Sequence, residues 1–373
     1  MAQQKGQPPT PTGSGHSPDE PLPWPFSAAK LAMDACLWWL DRGPAEPRES
    51  ELPWTSASTV ALELPTMRLR DFSTGPSGQP VLVCAPYALH GAAIADFAPG
   101  HSVMGSLHRG GLDRVYLTDW RSASPDMRYL SIDSYLGDLN TAVDDIGAPV
   151  DLVGLCQGGW LSLLYAARFP AKVRRLVLVG APVDLSIESA LSRLARSAPG
   201  AIYDQLVARG GGNVSGEEML RFWSRPLSPQ DVAVALQRSL SDDGGPELLE
   251  RFNRWNEETL DLPGTYYLQI VNWIFRENRI ARGEFVALGR RIDLKEMRTP
   301  VFLLAGLDDD VVPAGQALAT AHLLGTPPAH IASASEPCTH LGLFMGARTH
   351  AHAWMRIAEW LRTDLTGVLA RSA

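Results

Sequence analysis

The segment DLVGLCQGGW, residues 151–160, constrains the fold more than any other stretch of the chain. An apolar run of strand length leads into it, and a helical apolar run, QGGWLSLLYAARFP, leaves it and is brought toward its end by Pro170. Cys156 stands at the turn between Gly154 and Gly158, the G-x-C-x-G form of a nucleophile elbow. A sharp strand-to-helix turn crowds neighbouring backbones, so side chains two positions before and after its tip would collide. The side chain at the tip projects over the carboxyl edge of a sheet. There the N–H of Gln157 faces a developing oxyanion, and the positive helix end favours a thiolate. The bland alternative is a small cysteine buried at a tight turn, the usual fate of a free cysteine. The strand before it and the helix after it weigh toward a nucleophile.

The rest of the chain repeats this rhythm. MRLRDF reads as a short strand, PVLVCAPYAL as a buried one and DRVYLTDW as another. SIDSYLGDLNTAVDDIG has a Ser131 cap, an apolar helical repeat and a closing glycine. RRLVLVGAPV, TPVFLLAGLDD and, less clearly, AHIASASEP are further strands, and AHAWMRIAEWLRTDL is a final helix. Strands alternating with helices imply a mostly parallel sheet covered on both faces. With the elbow, this predicts an α/β-hydrolase fold with a helical cap insertion. The division expected is a disordered segment over 1–26, an N-terminal helix and linker over 27–64, core over 65–185, cap over 186–289, and core again over 290–373. The N-terminal helix, about Ser27–Asp41, carries Trp38 and Trp39 and is expected to pack on the core or on a partner.

In this fold the nucleophile is followed by the acid and then the base. The acid belongs after a late strand, where VFLLAGLDDDVVP offers Asp308, Asp309 and Asp310; position alone does not choose among them. The base belongs on a loop before the final helix, where SEPCTHLGLF supplies His340. His350 and His352 fall at the start of the last helix, His322 lies within a helix, and His330 precedes a strand, so each fits less well. His340 would take the thiol proton from Cys156, and the acid would orient the imidazolium. The second oxyanion donor is expected in the loop after PVLVCAPYAL, with Tyr87, Ala88 and Leu89 as candidates.

The run LVGLCQGGWLSLLYAARFPAKVRRLVLVGAPVDL, together with VYLTDW, SIDSYLGDLN, IDLKEMRTPVFLLAG, the DDDVVP loop and THLGLF, resembles the polyhydroxyalkanoate synthases from about residue 80 to 365. The resemblance is nearest to the short synthases that work with a second subunit. It implies that Cys156 is the acylated thiol, that His340 is its base, and that Asp309 is the acid, activating the 3-hydroxyl of the incoming acyl group. There are departures. Cys338 and Thr339 stand before the base where that family often has glycine. APYALHGAA, GTYYLQIVNWIF and LFMGAR lean toward the related intracellular polyester depolymerases, which usually have Cys-Gln-Pro-Ser where this chain has CQGG.

The resulting expectation is an acyltransferase that polymerises (3R)-hydroxyacyl-CoA and releases CoA. A depolymerase or thioesterase using the same triad is the alternative, and a non-catalytic granule-binding protein the third. The implied partners are a hydroxyacyl-CoA or polyester substrate, a second synthase subunit or another copy of the chain, and a polymer-granule surface. A net charge of −8 with no basic stripe argues against nucleic-acid binding. No run of about 18 apolar residues reaches bilayer length, and the N-terminus has no apolar signal core. The four cysteines, Cys36, Cys84, Cys156 and Cys338, show neither paired nor zinc-type spacing. A cytoplasmic protein, at polymer granules where polymer is present, with no metal and no cofactor, is therefore expected.

Overall fold

The structure, a computed structural model, describes residues 52–363 apart from 148, 224–225 and 242–243. The segment read as disordered (1–26) and the helix expected over Ser27–Asp41 lie outside the described residues.

Eight strands form one sheet: β1 (Thr59–Glu63), β2 (Met67–Asp71), β3 (Val81–Cys84), β4 (Val115–Trp120), β5 (Val150–Leu155), β6 (Val173–Val179), β7 (Val301–Gly306) and β8 (Ile331–Glu336). Their order across the sheet is β1-β2-β4-β3-β5-β6-β7-β8. β2 pairs antiparallel with both its neighbours, and every pair from β4 to β8 is parallel. Parallel strands in the middle of such a sheet are covered on both faces, so they must be apolar almost continuously. β3, β5 and β7 are accordingly buried at every residue. Asp151, the carboxylate within β5, is buried and takes the Arg174 guanidinium, whose Nε donates to it at 2.8 Å.

β1 lies in the stretch read as helix and linker. Its residues TVALE are mostly exposed, so no buried run marks it in the sequence. An antiparallel register, Thr59 against Asp71 and Glu63 against Arg68, holds it to β2.

The helices of the core are α1 (Val103–Arg109), α2 (Ile132–Ile146) and α3 (Gln157–Arg168). α2 begins after Ser131 and ends at Gly147, whose positive φ of 92° suits glycine. The region expected to form a cap holds α4 (Ala190–Ser197), α5 (Gly200–Arg209), α6 (Gly216–Trp223), α7 (Pro229–Leu236), α8 (Gly245–Glu257) and α9 (Gly264–Gln269). α9 continues into π-helical turns over Ile270–Arg276. Helices therefore dominate there, though short two-residue strand pairs also occur. α10 (Ala314–Leu323) follows β7, and α11 (Gly342–Met345), α12 (Ala347–Ala351) and α13 (Ala353–Arg362) follow β8. Among the described residues no helix is long and apolar enough to cross a membrane.

The helical region over 186–289 is stitched to the loop after β3. The Leu260 N–H donates to the Leu89 carbonyl at 3.0 Å, and Thr259 pairs with His90 in an antiparallel bridge. The Tyr87 hydroxyl donates to the Asp261 carbonyl at 3.2 Å. Tyr87 itself packs among Trp120, Tyr135 and Tyr266, with ring centroids 4.8–5.9 Å away.

Candidate active site

β5 passes into α3 at Cys156, which has φ 48° and ψ −116°, a conformation that non-glycine residues rarely adopt. Such a residue stores about 1–3 kcal/mol of strain and persists only where its surroundings enforce it. The Cys156 N–H donates to Val179 O and the Gly159 N–H to Cys156 O, each at 2.9 Å. A Cβ on Gly158 would stand 2.2 Å from the Cys84 carbonyl oxygen, and one on Gly154 would stand 2.5 Å from the Gly159 Cα. Both glycines are thus demanded by close backbone approach, as the elbow motif implies. Cys156 is a free, partly exposed thiol.

Asp309 follows β7 and is buried, whereas Asp308 and Asp310 on either side are exposed. One Asp309 oxygen accepts the backbone N–H groups of Val311 and Val312, at 2.9 and 2.8 Å. The other accepts from Nδ1–H of His340 at 2.7 Å. That bond leaves Nε2 of His340 unengaged by Asp309, and the Cys156 sulfur is near enough to the ring to raise its pKa. Burial opposes a charge on this imidazole, but the Asp309 carboxylate and the Cys156 sulfur outweigh it. The His340 pKa consequently lies well above the usual 6.5. The three residues singled out from the sequence are therefore brought together, across 153 residues from Cys156 to Asp309 and 31 from Asp309 to His340.

Other histidines among the described residues have different work. α11 is a short helix whose last carbonyls need partners from outside. The Trp354 Nε1–H donates to Leu343 O at 2.9 Å, the His350 Nε2–H to Phe344 O at 2.8 Å, and the His101 Nδ1–H to Met345 O at 2.7 Å. Three ring donors thus fix α11, and its Phe344 packs edge-to-face on His340 at 5.2 Å. Burial pushes His350 down to about 3 and lowers His101, so both stay neutral donors. His322 and His352 are exposed, and His330 sits in a turn before β8.

The Gln157 amide opens α3, where an N–H has no partner within the helix. It is free to meet an oxyanion above the elbow. Ala88 occupies the bend past β3, and its amide donates to no acceptor among the described residues. The Leu89 carbonyl is held by the cap and the Tyr87 ring is packed below. The loop's start is fixed by the Ala85 N–H donating to Thr118 Oγ1 at 3.0 Å and by the Trp120 Nε1–H donating to Ala85 O at 2.9 Å. Reading the sequence did not single out His90, whose ring lies 4.3 Å from that of Trp255 and whose Nδ1–H donates to Glu258 O at 3.3 Å. A histidine in a loop carries no sequence signal of such a contact. Among the described residues no group of His, Cys, Asp and Glu is placed to hold a metal ion.

A family model described as PHB de-polymerase C-terminus matches residues 234–364. The chain is 30% identical over 297 residues to the poly(3-hydroxyalkanoate) polymerase subunit PhaC of Synechocystis sp., covering 76% of this chain and 78% of that one. It is 28% identical over 298 residues to the subunit of the same name from Allochromatium vinosum, covering 77% and 82%. Among solved structures, the monoacylglycerol lipase of Paleococcus ferrophilus is similar with a TM-score of 0.53 at 16% identity, covering 79% of this chain and 98% of that one. An alpha/beta hydrolase fold protein from Chitinophaga pinensis gives 0.51 at 15% identity, covering 83% and 98%. At such identities the likeness is one of fold alone, and the fold is that of the α/β-hydrolases.

Proposed function

The chain belongs to the poly(3-hydroxyalkanoate) polymerase family, and from that premise we propose that it polymerises (3R)-hydroxyacyl-CoA through Cys156, with release of CoA. The observation that carries the reading is a free thiol at the tip of a strained elbow, within reach of a histidine that a buried aspartate orients. His340 Nε2 takes the thiol proton, and the thiolate attacks the thioester carbonyl. The oxyanion meets the Gln157 amide and an amide of the loop after β3, for which Ala88 is the candidate. The C–S bond to CoA breaks, and the leaving thiolate takes the proton from His340. The acyl group is then held on Cys156 as a thioester. His340 next accepts the proton of a 3-hydroxyl, whose oxygen attacks that thioester. An ester bond forms, and Cys156 leaves as a thiolate beside the imidazolium.

Asp309 acts through His340 in this reading. Both of its oxygens are engaged, one by two backbone amides and one by the ring, which supports an orienting role over direct activation of the hydroxyl. Water competes for the same acyl-enzyme, so the helices packed around the site favour polymer by excluding it. A hydrolytic reading, with water in place of the hydroxyl, draws support from the depolymerase family match over residues 234–364. The proposed partners are a second subunit, since the relatives are named as subunits, and the surface of the polymer product. Size-exclusion chromatography with and without a candidate subunit tests the first, and sedimentation with polymer granules tests the second.

The deciding experiment gives the purified protein 3-hydroxybutyryl-CoA and follows CoA, polymer and free acid together. Polymer with stoichiometric CoA is expected. Free acid alone favours the hydrolase. A Cys156→Ala protein with full turnover removes both enzymatic readings.

A further inference from the structure

The helical region over 186–289 meets the base side of the site where α7 packs against α11. Gln237 closes α7 in a left-handed conformation, φ 53° and ψ 37°, where glycine would be the easier residue. Its Oε1 accepts two hydrogen bonds from the fully buried Thr349 of α12, from the N–H at 2.9 Å and from Oγ1 at 3.2 Å. The amide lies in space left by Gly346, the joint between α11 and α12. A Cβ there would stand 2.5 Å from Oε1 and 2.7 Å from Cδ of Gln237. Gly346 also ends α11, whose Phe344 packs edge-to-face on His340 at 5.2 Å. The clasp therefore bears on the joint between α12 and the short helix that packs on His340.

We propose that Gln237 is a positioning residue for His340: its clasp on Thr349, across the gap at Gly346, sets the ring's place over Cys156. The proposal rests on the reading of His340 as the base. A clasp of this kind acts on catalysis by placement, and a displacement of about 1 Å at reacting atoms is worth roughly a hundredfold in rate. The carbonyl oxygen is the working atom, so a carboxylate can replace it, whereas removal of the side chain cannot be compensated.

The test reads the thiol–imidazole pair without substrate. The full chain is treated with iodoacetamide at pH 7, and the peptide holding Cys156 is quantified by mass spectrometry, which separates it from Cys36, Cys84 and Cys338. Three variants are compared: Gln237→Gly, Gln237→Glu and His340→Ala. Glycine suits the left-handed backbone, so Gln237→Gly keeps the fold while removing the clasp. The expected result is alkylation roughly tenfold slower in Gln237→Gly, as misplacement of the base predicts, with cooperative unfolding retained, and near wild-type alkylation in Gln237→Glu. Wild-type alkylation in Gln237→Gly, with slow alkylation in His340→Ala, overturns the clasp and leaves the base standing. Wild-type alkylation in His340→Ala overturns the base and the clasp together. Equal slowing in Gln237→Gly and Gln237→Glu, or loss of cooperative unfolding in Gln237→Gly, also overturns the clasp.

Discussion

Replacing Asp309 by asparagine changes one atom and should silence the base. The side-chain oxygen of an asparagine at this position has two places to point. Toward Val311 and Val312 it keeps both backbone bonds that the aspartate accepts at 2.9 and 2.8 Å. Toward His340 it would leave the NH₂ group facing those two N–H donors, and each unpaired buried amide costs about 1–3 kcal/mol. The oxygen therefore stays on the backbone side and the NH₂ group faces His340 Nδ1. That nitrogen must then be an acceptor, so the ring proton moves to Nε2, and Nε2 can no longer take the proton of Cys156. The same inversion of tautomer in the serine triad is worth about 10⁴ in rate, and a loss of about 10³–10⁴-fold in Cys156 acylation is expected here. Rapid-quench measurement of CoA release in a single turnover with 3-hydroxybutyryl-CoA reads this step. A variant within tenfold of the wild-type rate refutes the reasoning. Stability supplies a second check with a definite sign. A histidine whose folded pKa is raised contributes stability below its unfolded value, near 6.5, and loses it as pH rises through the folded value. The stability advantage of wild type over Asp309→Asn in urea should thus be largest at pH 6 and shrink in alkaline solution.

Gly158→Ala should act on the elbow itself, because its Cβ would press on the Cys84 and Ala85 carbonyl oxygens at 2.2 and 2.7 Å, and neither main-chain atom can swing away. The turn must shift by about 1 Å, and acylation should fall roughly a hundredfold; unchanged single-turnover kinetics would contradict this. His350→Gln should lessen acid sensitivity. His350 is held neutral in the fold, with its pKa pushed down to about 3, while the unfolded residue takes a proton near 6.5. Wild type therefore loses stability from this residue as pH falls below 6.5, about 2 kcal/mol between pH 7 and pH 5. Urea titrations at those two pH values should show His350→Gln losing about that much less, and equal losses would sink the assignment.

The elbow was legible because its requirements are local: an apolar strand, two glycines at fixed offsets and an apolar helix. The late strand, and the position of His340 after it, followed from chain order in that fold. The choice of Asp309 over Asp308 and Asp310 was not legible from position, since it depends on the loop folding back so that the Val311 and Val312 amides wrap one carboxylate. β1 was missed because an exposed edge strand such as TVALE carries no buried run. His101, His350 and Trp354 gave no hint of their shared task. The bond between His101 and Met345 spans 244 residues, and hydrophobic periodicity is silent about contacts between rings and distant carbonyls.

The seam between Leu260 and Leu89, with Thr259 on His90 and Tyr87 on Asp261, bears on how relatives of this protein can be recombined. A chimaera that exchanged only residues 186–289 would cut three hydrogen bonds to the loop after β3: Leu260 to Leu89, Tyr87 to Asp261 and His90 to Glu258. The imported helices would arrive without the partner they lean on, and the Ala88 amide proposed as a donor would drift. The unit to transplant is the cap together with residues 85–90, two pieces distant along the chain that behave as one part.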